Sequence, residues 1–193
     1  MYKNLDVKDK NHIHYVCVKL KEILDTDAVH KLQQNENLYY VKHIILHRQA
    51  FARVEHKTKY HGMFSNEHDI DKIGTALILG RDEARRLHKQ IAPHHNAKPD
   101  CEDKNLIVEK IFDWECSHYT KLGKSKTAYE YMVAVRSEFS DAMTPYLKEL
   151  GLWEERNATP LTKEHYKQME DSIDMETIIA EVRKSYNYLK GLS

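Results

Sequence analysis

An all-α fold is predicted from three observations on the sequence. Glycine (6) and proline (4) are scarce in a chain of 193 residues. Those residues do most of the turning of a chain, so long regular segments joined by short links are expected. Hydrophobic residues recur at three- and four-residue steps, which places them on one face of a helix. Charged residues make up 31% of the chain, above the usual level of about 25%, and supply such helices with heavily solvated outer faces. The length suits one well-buried core. The expected organisation is a single helical bundle domain over residues 1–150, with a helical extension at 151–193 packed on it.

Between the glycine and proline breaks, helices are expected at 8–25, 38–57, 82–91, 102–119, 126–139, 142–150, 163–170 and 175–189. In the second of these, Tyr40, His43, His47, Ala50, Phe51 and Val54 fall on one inward stripe, because steps of three and four return to the same side. The fourth has its apolar face at Ile107, Ile111 and Trp114, with Leu106, Glu109, Asp113 and Cys116 at its margin. Ser125 and Thr162 are expected N-caps, and Pro145 and Pro160 fall where a first helical turn tolerates proline. The stretch 93–100, with two prolines and no periodicity, is expected to be a loop, and loops on a rigid helical frame are where ligands commonly sit. A short helix is expected to place Lys72 on the side of Asp69.

Charge and cysteine content narrow the function classes. Lys plus Arg and Asp plus Glu are 30 each, so no overall field favours nucleic acid, and no clear nucleic-acid surface is expected. The longest nearly uncharged run, Ile73 to Gly80, falls far short of the ~20 residues that span a bilayer. The first residues, Met-Tyr-Lys-Asn-Leu-Asp, lack the apolar stretch of a secretory signal. Cys17, Cys101 and Cys116 are odd in number and widely spaced with no Cys-x-x-Cys pair, which favours free thiols and a cytoplasmic location. Gly123-Lys124-Ser125 is not a phosphate-binding loop, since the position five residues before Gly123 is His118 and the preceding residues read as helix.

The most informative residues are the consecutive His68 and Asp69. An imidazole beside a carboxylate offers a borderline nitrogen and a hard oxygen to one divalent ion. His43 and His47 lie upstream, and His88, His94, His95 and Asp113 lie downstream at intervals of roughly one helix. A carboxylate at the margin of an apolar face, as at Asp113, is costly to desolvate unless a cation or donor compensates it. Together these side chains offer enough ligands for one metal, or for two with a bridging carboxylate.

The order His43 or His47, His68-Asp69, His88, His94-His95, Asp113 resembles the motif of the HD superfamily of metal-dependent phosphohydrolases, a helical fold. The string His68-Asp69-Ile70-Asp71-Lys72-Ile73-Gly74 resembles the superfamily's His-Asp-x-x-Lys version, and His94-His95 its later histidine doublet. The resemblance covers about residues 38–119. It implies a primary site on His68, Asp69, Asp113 and either His43 or His47, with His47 favoured by its shorter gap to His68. Asp69 would bridge to a second ion on His88 and His94 or His95.

The implied cofactor is one or two divalent ions (Mn, Fe, Zn, Co, Ni or Mg), and the implied substrate is a nucleotide or other small phosphate ester. Asp69 and Lys72 are the implied catalytic residues, Lys72 being either the side chain that neutralises phosphate charge or an ordinary surface lysine. Arg81, Arg85 and Arg86 are either a second phosphate clamp or a solvated face. The Gly-Tyr-Pro string of the cyclic-dinucleotide branch does not follow His95, so such a substrate is not expected. Two alternatives stand beside the hydrolase: a di-iron oxygenase on the same frame, and a non-catalytic helical binding module with a structural or vestigial site.

Overall fold

A computed structural model describes residues 5–123, 126–156 and 159–192. These residues form ten α-helices and no strand, an all-α fold. In chain order the helices are α1 (Val7–Asp25), α2 (Ala28–Gln33), α3 (Leu38–His56), α4 (Ile70–Leu79), α5 (Arg81–Ile91), α6 (Lys104–Thr120), α7 (Ala128–Val135), α8 (Ser140–Glu149), α9 (Lys163–Asp171) and α10 (Met175–Lys190). Among the described residues, no helix is long and apolar enough to cross a membrane. The contacts divide the chain into two units, one of residues 1–46, 67–93 and 169–193, the other of residues 47–66 and 94–168. Residue 150 therefore falls inside the second unit, and α10 belongs to the first.

The first unit is built around α4, which packs on α1, α5 and α10. From Ile70 to Leu77 every residue of α4 except Lys72 is buried. Gly74 makes this possible: a Cβ there would lie 2.6 Å from Leu20 Cδ1 and 2.9 Å from Ser185 Oγ. Its N–H donates to Ser185 Oγ at 2.9 Å, which ties α4 to α10. Gly80, at φ 79°, ends α4 and at once opens α5, a link of one residue that needs the left-handed region open to glycine. Asn35 Nδ2 donates to Leu77 O and satisfies a carbonyl of the last turn.

The second unit is centred on α6, which is buried on two sides. Val108, Phe112 and Cys116 pack with Ala50 and Phe51 of α3. Ile107 and Ile111 pack with Met132, Phe139, Met143 and Leu147. The single apolar face expected for this helix is thus only half of its packing surface, and Trp114 sits at the edge, 4.9 Å from the Tyr131 ring. The buried Glu115 accepts from Ala128 N at 2.9 Å and from Arg156 Nη2 at 2.7 Å, joining α6 to the start of α7 and to the segment after α8.

Most expected helices are present within two residues of their expected ends, and the departures have local causes. The helix expected at 126–139 stops at Val135 and continues as a 3₁₀ turn at Ser137–Phe139. Thr127 caps α7 in a capping box with Glu130; Ser125 lies outside the described residues. Helix α8 starts at Ser140, so Pro145 sits inside it rather than in its first turn. Pro160 precedes α9 and belongs to no helix, whereas Thr162 Oγ1 accepts from His165 N at 3.1 Å as an N-cap should. The expected loop after α5 contains a 3₁₀ turn, Pro93–Asn96. Helix α2 was not expected, its six residues being too few to show a period.

Candidate metal centre

Each unit carries its own set of ligand-type side chains. In the first unit, Asp69 is the residue immediately before α4, and its backbone lies in the left-handed region at φ 57°. A non-glycine residue held there is strained by roughly 1–3 kcal/mol, a conformation that persists where the surroundings fix it and that clusters at functional sites. The Asp69 carboxylate is buried. His88 Nε2 approaches it at 3.1 Å and His68 Nε2 at 3.8 Å. Lys72, one helical turn further on, puts its Nζ 2.8 Å from the carboxylate. Burial opposes ionisation of Asp69, but the charges of Lys72, His68 and His88 outweigh it and hold the carboxyl well below the usual range.

His88 reaches this point from α5, which packs on α4. Its Nδ1 faces the Asp71 carboxylate at 2.9 and 3.0 Å, which fixes the ring and leaves Nε2 turned to Asp69. Burial alone would favour the neutral ring; the charge of Asp71, opposed by Lys72 and supported by Asp69, instead pushes His88 up to about 9. A histidine whose far nitrogen is held by a carboxylate is the usual outer arrangement of a metal-ligating imidazole.

The remaining candidates of this unit are divided in their surroundings. Burial raises the Tyr40 phenol, and the positive charges of Lys72, Arg81 and Arg85 act on it in the opposite direction. Arg81 lies over that ring, 5.4 Å from its centroid. Arg86 is committed elsewhere, to Asp9 at 2.6 Å and to Glu83 at 2.8 Å, and serves as a structural tie between α5 and α1. His43 stacks on Tyr40 with ring centroids 6.0 Å apart, and among the described residues it belongs to no group of ligand atoms close enough to share an ion.

In the second unit, the buried His47 places Nε2 2.9 Å from Asp113 Oδ1 and Nδ1 3.2 Å from Thr120 Oγ1. Cys116 Sγ lies 3.6 Å from both ring nitrogens. His47, Asp113 and Cys116 each offer a ligand atom within 4.8 Å of the others. His94 Nδ1 pairs with Glu109 Oε1 at 3.0 Å, and the His94 and His95 rings are 4.3 Å apart.

Four residues of these sets were not singled out as site residues from the sequence: Asp71, Glu109, Cys116 and Thr120. For α6 a signal was present, because Glu109, Asp113 and Cys116 follow at steps of four and three and so share a stripe. For Asp71 there was none, since a residue two positions from Asp69 points to another side of a helix and its partner is 17 residues away.

The donor types present, imidazole nitrogen, carboxylate oxygen and one thiol, suit a borderline divalent ion. No protein-family model, curated protein or solved structure matches this chain.

Proposed function

We propose that this protein is a divalent-metal-dependent phosphohydrolase acting on a nucleotide or another small phosphate ester, as the resemblance to the HD superfamily implies. The observation that supports this reading best is the environment of Asp69. A buried carboxylate between two imidazoles, strained at its backbone and gripped by a lysine, is expensive to build as plain core and natural as a ligand. Lys72, Arg81 and Arg85 add positive charge on the same unit, which a phosphate would need.

A bound divalent ion would supply polarisation of a phosphoryl oxygen and an activated water. The chain's own side chains do the rest. Asp71 holds the His88 ring so that Nε2 faces inward. Asp69 brings negative charge to the ligand set at any pH above the acid range. Lys72, with its Nζ on Asp69, stands where it would neutralise charge on a phosphoryl group, and Arg81 and Arg85 would hold the rest of a phosphorylated substrate. Cys17, Cys101 and Cys116 form no disulfide among the described residues, which fits a reducing, cytoplasmic setting.

Metal analysis of the purified protein, with a phosphatase screen over nucleotides in Mn, Co, Ni, Zn and Mg, tests the reading. Near-stoichiometric metal, lost in Asp69→Ala together with activity, is expected. A protein that binds no metal and hydrolyses nothing in any of these ions overturns it.

A second reading is supported by the charges themselves. Lys72 and a protonated His88 neutralise Asp69 and Asp71 without any ion, so these residues also make a self-satisfied polar core of a non-catalytic helical module. Thermal melts separate the two, since an ion that binds only the folded state raises the melting temperature and a chelator removes that gain. No shift on chelation favours the second reading.

A further inference from the structure

We infer that Glu109 and Lys110, consecutive residues of α6, are positioning residues for the turn that carries His94 and His95, and that they make His94 rather than His95 the metal ligand of that turn. The inference rests on the metal dependence proposed above. The resemblance gives Glu109 and Lys110 no role and does not choose between the two histidines.

Lys110 is buried, yet among the described residues its ammonium has no carboxylate at ion-pair distance. Its Nζ donates to Ala97 O at 3.0 Å and lies 4.8 Å from the centroid of the Phe139 ring. Desolvating an ammonium for one neutral carbonyl is costly. An unbranched apolar side chain such as methionine would fill the same space without that cost. What the ammonium adds is a fixed place for the Ala97 carbonyl.

That carbonyl stands at the end of the histidine turn. Ala97 N donates to His94 O at 3.3 Å, just after the 3₁₀ turn Pro93–Asn96, and Ala97 itself packs in one core cluster with Ile107 and Ile111 of α6. The internal hydrogen bonds of a 3₁₀ turn are poor, so its shape depends on ties to its surroundings. Helix α6 supplies two: Lys110 holds the carbonyl end, and Glu109 Oε1 meets His94 Nδ1 at 3.0 Å. Successive side chains leave a helix about 100° apart, so the two spread along the turn instead of converging on one atom. An ionised carboxylate only accepts, so Nδ1 of His94 carries the proton and Nε2 keeps the lone pair that ligates. The His94 ring is buried and held in this way, whereas His95 is exposed. A ring already fixed loses little rotamer freedom on ligation.

Nitrogen NMR of the full chain labelled at histidine, titrated with Zn(II) after chelator treatment, tests this. In wild type the Nε2 resonance of His94, assigned with His94→Gln, is expected to move on zinc addition while Nδ1 stays protonated and His95 does not respond. Lys110→Met and Glu109→Leu should keep the helical circular dichroism of the wild type and need about 10–100-fold more Zn(II) for that movement. Lys110→Arg, which keeps a donor, should respond as wild type does. A lysine that only supports the fold would lower the melting temperature in Lys110→Met and leave the zinc response of His94 unchanged, and that result overturns the inference. So does a folded Lys110→Arg that responds no better than Lys110→Met. Zinc that moves other histidines but not His94 overturns it while leaving metal dependence standing. Protein in which neither Zn(II) nor Mn(II) perturbs any histidine overturns both. If Lys110→Met does not fold, the wild type, Lys110→Arg and Glu109→Leu decide the matter.

Discussion

Asp71 holds the imidazole of His88 by its Nδ1 atom at 2.9 Å, across 17 residues and two helices. The pair settles which nitrogen of His88 faces Asp69, and removing the carboxylate should loosen the ring without emptying the core. Asp71→Asn is expected to weaken metal binding about 10–100-fold, the usual cost of losing such an outer partner, with helicity unchanged. Calorimetric titration with Zn(II) or Mn(II), beside a circular dichroism spectrum, checks it.

The same pair predicts a pH dependence. In metal-free protein His88 is raised from 6.5 to about 9 by Asp71 and Asp69 against the effect of burial. Its contribution to stability is therefore fully present below about pH 6.5 and is lost as pH rises toward 9. Chelator-treated protein should show a falling melting temperature across that window, and the fall should flatten in His88→Gln. Because a ligating imidazole must be neutral, metal uptake near pH 7.5 should release a proton that buffers of different ionisation enthalpy detect by calorimetry.

A substitution at Lys72 tests whether substrate handling and metal handling are separable. Its Nζ sits 2.8 Å from Asp69, and a cation so placed opposes a second cation on that carboxylate. Lys72→Gln should keep or gain metal affinity. If the hydrolase reading holds, it should lose about 10–100-fold in kcat/KM, or roughly 1.4–3 kcal/mol of transition-state stabilisation. Steady-state kinetics at saturating metal decide it; an unchanged kcat/KM removes Lys72 from the chemistry.

Gly74 carries the frame of the first unit. Alanine is the better helix former by roughly 1 kcal/mol, yet its Cβ would lie 2.6 Å from Leu20 Cδ1 and 2.9 Å from the Ser185 hydroxyl that the Gly74 N–H bonds. Overpacking should win, and Gly74→Ala should destabilise by about 1–3 kcal/mol, read in urea melts. Because α4 carries Lys72 and Asp71 and begins directly after Asp69, metal affinity should fall with it.

The balance of legible and illegible features follows from range. The all-α class, the ends of most helices and the N-cap at Thr162 were readable because helix periodicity and capping are set by residues within about one turn of each other. The break at Arg136 was not, because the apolar pattern runs on through it and only the 3₁₀ turn that seats Phe139 in the core interrupts it. The two-sided burial of α6 was half readable: the Ile107 and Ile111 face is plainly apolar, while the opposite face mixes Val108, Phe112 and Cys116 with charged neighbours.

By itself the sequence determined the helical class, the His68 and Asp69 pair, and the sharing of one stripe by His43 and His47. Only the tertiary structure decided that His47 and not His43 meets Asp113, 66 residues away, that Asp71 rather than solvent holds His88, and that Lys72 is bound to Asp69 rather than free on the surface. The reason is physical. Helical spacing states which side chains share a face, but which face of another helix they meet depends on packing among residues distant in the chain, at Gly74 against Leu20 and Ser185 as much as at any ligand.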